Sequence, residues 1–276
     1  MRNIITSVFD LEDVDRWREA VSTFRSNRYQ ARALQGFLEE AEYLVETCEA
    51  LDKFRETLPT SETGQQLPSE SQRLALYKLT KSYFDKFYGC LSHLASVIVR
   101  HADVFGKVSL SENRAVVRWL GANCPSCGHN GQAELERARL FRAIVNHPQQ
   151  FPTFDWITAT APDHGPAHVV LHGPASRSGK IPPGSTRGSP IVGGPVDWAM
   201  EAPDEVSVTN SLFSAAGDCL RKVAEAHMAG TAFRSKESRE AAAISALFPE
   251  VPAAEKRIRV TPEGLIGEIK PTRRHP

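Results

Sequence analysis

The sequence predicts a mostly α-helical fold, a helical bundle carrying a small β insertion and a Gly/Pro-rich loop. Three observations carry that expectation. Apolar residues recur at intervals of three and four over several long segments, the spacing that lines one face of a helix. Capping residues and helix breakers stand at the ends of those segments. Seven of the 18 glycines and seven of the 18 prolines fall between 161 and 195, where regular structure must be interrupted. With 276 residues, 41% of them hydrophobic, the chain can bury a sizeable core without disulfides or metals.

In chain order, Val14, Trp17, Val21 and Phe24 mark a first helix, and Leu34, Phe37, Leu38, Ala41, Leu44, Val45, Cys48 and Leu51 a second. Residues 57–68, polar and holding two prolines, read as a linker. Ser69 and Gln72 have the spacing of a capping box. They open a helix that turns Phe84, Phe87, Tyr88, Leu91, Ala95 and Ile98 inward and reaches about Ala102. Ser109 and Glu112 repeat the spacing before a short helix that Gly121 terminates. After a cysteine-bearing loop, Leu135, Ala138, Phe141, Ile144 and Val145 mark a helix from Glu134 that Pro148 ends. Residues 156–160 and 168–171 read as strands of a small sheet packed on the helices. Asp204 caps a helix with Leu212, Ala216, Leu220 and Val223 inward and Gly230 just past its end. Another short helix follows over 241–247. Residues 257–260 and 266–269 form a hairpin around Pro262, Glu263 and Gly264, before the basic Arg273, Arg274 and His275.

Charge and hydropathy exclude several function classes. Lysine plus arginine equals aspartate plus glutamate at 33 each, so no whole-molecule field draws the chain to nucleic acid or to an anionic membrane. Any nucleic-acid contact must come from a local patch. The longest largely apolar run, Leu94 to Val99 with Ser96 inside it, is far short of the roughly 18 residues of a membrane span, so no membrane partner is expected. The N-terminal residues meet charge too early for a secretory signal. Five cysteines form an odd set without framework spacing, which suits a reducing compartment and a cytoplasmic location.

Nine histidines and 23 arginines predict about two chance matches to an arginine followed by four to six residues and a histidine. The sequence holds two, Arg142 to His147 and Arg221 to His227. Context separates them. Pro148 puts His147 in the last turn of its helix, at the electronegative end, where an imidazole can exchange protons. Arg142 lies on the same helix, and its planar fork can clamp a phosphate beside that acid or base. Asn146 adds a neutral donor and acceptor. Arg221 and His227 read as a solvated helix face.

Other motifs carry less. Cys124-Pro-Ser-Cys127-Gly-His129 matches one knuckle of a zinc ribbon. It reads either as a structural zinc site, with His129 or the pair Cys90 and His93 as further ligands, or as two reduced thiols in an exposed loop. The segment 173–181 has one residue too many between its glycines for a phosphate loop and an isoleucine where the magnesium ligand belongs. Arg177, Lys180 and Arg187 there can track a nucleic-acid backbone or simply be solvated. His164, His168 and His172 share one strand face, which is a weak metal signal, and read as surface or half-buried residues.

The segment from Leu140 to Trp156, preceded by the helix from Tyr83 to Ala95, resembles the HEPN superfamily. The resemblance spans roughly residues 69–156, with the helix from Asp204 as a closing element, and it departs in placing Ala143 where a polar residue often follows the arginine. It implies a HEPN-like helical bundle and a metal-independent endoribonuclease, a toxin or anti-phage defence effector that works as a homodimer on RNA. An antitoxin or defence-system protein is then a further partner. In that implied chemistry His147 moves the ribose 2′-hydroxyl proton, Arg142 stabilises charge on the scissile phosphate, and Asn146 assists; no cofactor takes part. The alternative is a non-catalytic helical binding or scaffold protein for a nucleotide or protein. The implied organisation is N-terminal helices over 1–56, a linker over 57–68, a HEPN-like domain over 69–230 with the insertion at about 156–200, and a C-terminal helix and basic tail over 231–276.

Overall fold

The computed structural model describes the backbone of residues 28–58, 68–147, 155–159, 167–188, 196–247, 256–261 and 264–269, and side chains as far as residue 227. The first predicted helix, marked by Trp17, lies outside these residues, as do His164 and Pro148. Six helices dominate: α1 (Arg28–Glu56), α2 (Glu70–Arg100), α3 (Ala102–Phe105), α4 (Asn113–Asn123), α5 (Gly128–Asn146) and α6 (Glu205–Leu247). Between α5 and α6 stand β1 (Asp155–Ala159), β2 (His168–Gly173), β3 (Thr186–Arg187) and β4 (Trp198–Glu201), and the hairpin β5 (Lys256–Thr261) and β6 (Gly264–Ile269) follows α6.

Helix α2 is the axis. Its start is the capping box read from the sequence: the Gln72 amide donates to the Ser69 hydroxyl at 3.3 Å, and the Ser69 amide donates to the Gln72 side chain at 2.8 Å. Helix α1 packs along it at two close approaches. A β-carbon on Gly36 would sit 2.7 Å from His93 Nδ1, and one on Gly89 would sit 2.7 Å from Glu40 Oε2. Glycine at both positions removes the side chain that would hold the helices apart. The apolar residues of α1 from Leu34 to Leu51 thereby join Phe84, Phe87, Leu91 and Ile98 of α2 in one core, which also takes in α4, α5, α6 and one face of the sheet. The helices on either side of the expected 57–68 linker thus share a core.

Four boundaries differ from expectation. Helix α4 does not use the Ser109 spacing: its N-cap is Glu112, with no side-chain cap bond. Nor does Gly121 end it, since the place of a Gly121 β-carbon is taken by the Gln132 side chain of α5 and the residue serves packing. Helix α5 begins at Gly128, directly after the cysteines, because its first turn is anchored by tertiary contacts described below. Helix α6 runs through Gly230 to Leu247 and absorbs the separate helix expected over 241–247. A glycine costs a helix only about 1 kcal/mol relative to alanine, and the alanine-rich sequence around it outweighs that.

The insertion is a four-stranded antiparallel sheet in the order β1-β2-β4-β3. Val169 and Leu171 face the main core with Trp198 and Met200, while Val170 packs on Ala199 and Ile157 across the opposite face. Trp156 of β1 stacks on Tyr77 of α2 at 4.6 Å between centroids. Strand β3 lies in the stretch that the Gly/Pro content marks as loop, and β4 just past it. They are short, and pairing with β2 supplies their hydrogen bonds.

A buried polar network ties these layers. Arg55 Nη2 lies 2.8 Å from Glu205 Oε2, and Arg55 Nε donates to the Ala167 carbonyl at 2.8 Å. The Tyr83 hydroxyl donates to the Glu205 carbonyl and shares a hydrogen bond with Thr209, both at 2.8 Å. Burial raises the Glu205 carboxyl above its usual range, against the opposing pull of Arg55, and pushes the neighbouring Cys48 thiol up to about 12. Asp204 caps α6 as expected, accepting from the Ser207 amide at 2.9 Å.

Candidate functional site

Arg142 and Asn146 are one helical turn apart on α5, and Lys81, Asp85 and Tyr88 are one turn apart on α2, so two facing stripes meet. Arg142 Nε donates to Asp85 Oδ1 at 3.1 Å. The guanidinium lies over the Tyr88 ring, 4.1 Å from its centroid. Asn146 donates to the same Asp85 oxygen through Nδ2 and accepts from Lys81 Nζ, which is also 3.3 Å from Asp85 Oδ2. One carboxylate therefore gathers two cations and an amide. Tyr88 is half-buried under the guanidinium, not part of the apolar face to which its spacing assigned it.

The cluster stays wet. The Arg142 and Asp85 side chains are 22% and 39% exposed, whereas those of Arg55 and Glu205 are 10% and 2%. With Nε held by Asp85, the two terminal nitrogens of Arg142 meet no acceptor among the described residues. They form the end of a planar fork, aimed for bidentate contact with a phosphate or carboxylate.

His147 stands just past the helix, as its C-cap, with φ −124° and ψ 58°, and its amide donates to the Ala143 carbonyl at 3.0 Å. The turn expected to contain it ends one residue earlier, because a following proline disfavours the helical conformation for the residue before it. Its ring is half-buried and makes no hydrogen bond to a described residue. Arg142, Asn146 and His147 thus share one helix end. Lys81 and Asp85 were missed in the sequence because Lys81 lies 65 residues from Asn146, and Asp85 lies 61 from Asn146 and 57 from Arg142, beyond the reach of local periodicity; only their spacing on α2 hinted at a shared polar stripe.

The second arginine and histidine pair separates. Arg221 is an exposed partner of Asp218 at 3.6 Å, while His227 lies edge-on to His101, 6.2 Å between centroids. Burial lowers the His227 pKa.

The cysteine segment is buried, a correction to the exposed loop expected for its thiols. Cys124 and Cys127 are 2% and 5% exposed. Cys124 Sγ lies 3.5 Å from Cys219 Sγ of α6, in place of the Cys90 and His93 partners expected from α2. Ser126 donates through its amide and hydroxyl to the two oxygens of buried Asp218, at 2.8 and 2.9 Å, which clamps the loop to α6 and fixes where α5 begins. Hydrogen bonding to Cys219 lowers the Cys124 thiol and raises that of Cys219, and burial pushes Cys127 up to about 11. Among the described residues no group of three or more His, Cys, Asp or Glu side chains is arranged to hold a metal ion.

His168 and His172 share one strand face on β2, and His168 Nε2 lies 3.7 Å from Glu201 Oε2 on β4. Arg177, Lys180 and Arg187 are exposed. No described helix is long and apolar enough to cross a membrane. Comparison with protein-family models, with curated proteins and with solved structures finds no match.

Proposed function

We propose that the chain is a metal-independent endoribonuclease of HEPN type, acting as a homodimer at the helix end that carries Arg142, Asn146 and His147. The single observation that supports this reading is the partly exposed guanidinium of Arg142, held through Nε by Asp85 with its terminal nitrogens meeting no acceptor among the described residues, five residues before His147. In the proposed reaction the ribose 2′-oxygen attacks the adjacent phosphorus and the 5′-oxygen of the next nucleotide leaves. His147 takes the 2′-hydroxyl proton, and the leaving 5′-oxygen takes a proton from solvent water, giving a cyclic phosphate and a 5′-hydroxyl. Arg142 offsets the charge that grows on the phosphoryl oxygens. Asp85, Asn146 and Lys81 act as positioning residues.

A toxin or defence role, with an antitoxin or defence-system partner, accompanies this reading as a proposal resting on the resemblance alone. A second reading, a non-catalytic helical module that binds a nucleotide or protein, is favoured by the fact that Arg142 already has a carboxylate partner. Single-stranded RNA incubated with the purified chain in chelator separates the two. Cleavage with cyclic phosphate ends, reduced about a hundredfold or more in His147→Ala and in Arg142→Ala, supports the nuclease. Equal cleavage by all three proteins, or none by the parent chain, overturns it.

A further inference from the structure

Helix α2 carries the polar stripe well beyond Asp85. Tyr88, Ser92, Ser96 and Arg100 follow at intervals of four and lie on the same face. Two adjoining cavities, of about 530 and 620 Å³, open along that face, and both are lined by Ser92, Ser111 and Asn113. The first begins at Tyr88, on which Arg142 is stacked, and the second ends at Tyr29 and Arg100. From Tyr88 to Arg100 the helical rise is about 18 Å, the length of about five nucleotides stacked at ~3.4 Å.

We propose that this groove binds the single strand that leads to the Arg142 site, with Tyr88 and Tyr29 as the aromatic stations at its two ends. The proposal rests on the ribonuclease reading for the choice of RNA. Its other support is the chemistry of the lining. Tyr29 is 65% exposed, a large aromatic surface presented to water. The Arg100 guanidinium lies 5.2 Å from the centre of its ring, placing a cation beside a stacking face. Arg114 is exposed and forms no ion pair among the described residues, and Arg139 adds a third cation, bound to Glu136. Glu112 is the one acidic residue lining either cavity. Ser92, Ser96 and Ser111 are exposed and present small polar groups between the aromatic ends, fitted to ribose hydroxyls and phosphates, while buried Asn113 braces the floor by donating to the Tyr88 carbonyl and accepting from Ser92. A single strand, with unpaired bases and a charged backbone, matches this set; an A-form duplex is too wide to lay its bases on one helix face.

The test uses the full chain carrying His147→Ala, so that binding is read without cleavage, and a fluorescein-labelled 12-nucleotide oligouridylate. Tyr29→Ala, Arg100→Ala and Ser96→Glu are each placed in that background. All three positions are exposed, and circular dichroism checks that the helices persist. Each change is expected to weaken binding about tenfold by anisotropy. Arg100→Ala should also flatten the dependence of log affinity on log salt by about 0.7. A hairpin duplex of equal length should bind at least tenfold more weakly. Unchanged affinity in all three variants, or no binding by the parent, overturns the groove. So does a shift from dimer to monomer in sedimentation with RNA affinity unchanged, which would make the face a contact between copies of the chain. Groove-dependent binding together with an uncleaved oligonucleotide in the His147 chain would retain the groove while the nuclease reading fails; cleavage with groove-independent binding would do the reverse.

Discussion

Among the arginines that meet carboxylates, Arg55 and Arg142 have contrasting settings. Arg55 and Glu205 are sealed between α1, α2 and the start of α6, with every neighbour a structural one: the Ala167 carbonyl, the Tyr83 hydroxyl and Thr209. Arg142 and Asp85 lie at an edge, with a tyrosine face below, a histidine past the helix end and two guanidinium nitrogens unclaimed among the described residues. The same ion pair is a joint in one place and a poised group in the other. Water decides the difference, because a buried pair cannot lose a partner without leaving a charge stranded, whereas a half-exposed pair can exchange its partner for a ligand.

The largest expected effect follows from that contrast. Arg55→Met leaves the Glu205 carboxylate buried and alone and should cost about 3–5 kcal/mol in urea unfolding. Arg142→Met should cost about 1 kcal/mol or less; equal losses would break the comparison. Next comes activity: His147→Ala should lower RNA cleavage in chelator about a hundredfold or more while unfolding shifts by no more than about 0.5 kcal/mol.

The pH dependence of stability sharpens the buried side. The folded Glu205 carboxyl is raised, so the native state holds its proton more tightly than the unfolded chain does. Its contribution is complete below the ordinary value of 4.5 and is lost as pH rises through the folded value. Urea midpoints measured upward from pH 4.5 should therefore carry a falling component that Glu205→Gln removes; an unchanged profile would mean that Arg55 cancels the burial. The smallest effect belongs to Asp85→Asn, which keeps the shape and should change stability by less than about 1 kcal/mol. Its cleavage should fall about tenfold, as expected of a residue that aims Arg142.

Much of the fold was legible because its signals are local. The period of Leu34 to Leu51, the Ser69 and Gln72 box and the β-branched run at His168 each reflect backbone preference or one-sided burial within a few residues. The failures share a cause too. Gly121 and Gly230 read as helix ends, yet one makes room for Gln132 and the other is carried through by its neighbours. The buried state of Cys124 depends on Cys219, 95 positions on, which no spacing rule reaches.

For the site, the sequence alone determined which groups share a helix end: Arg142 and Asn146 by the helical turn, and His147 by the proline that follows it. Only the tertiary structure decided what those groups face. Asp85, Lys81 and Tyr88 meet them because α2 and α5 cross at that level, and Arg55 is buried because α6 closes over it. Periodicity states that a residue lies on a face; burial of that face, and hence the worth of its charge, depends on which element arrives from elsewhere in the chain.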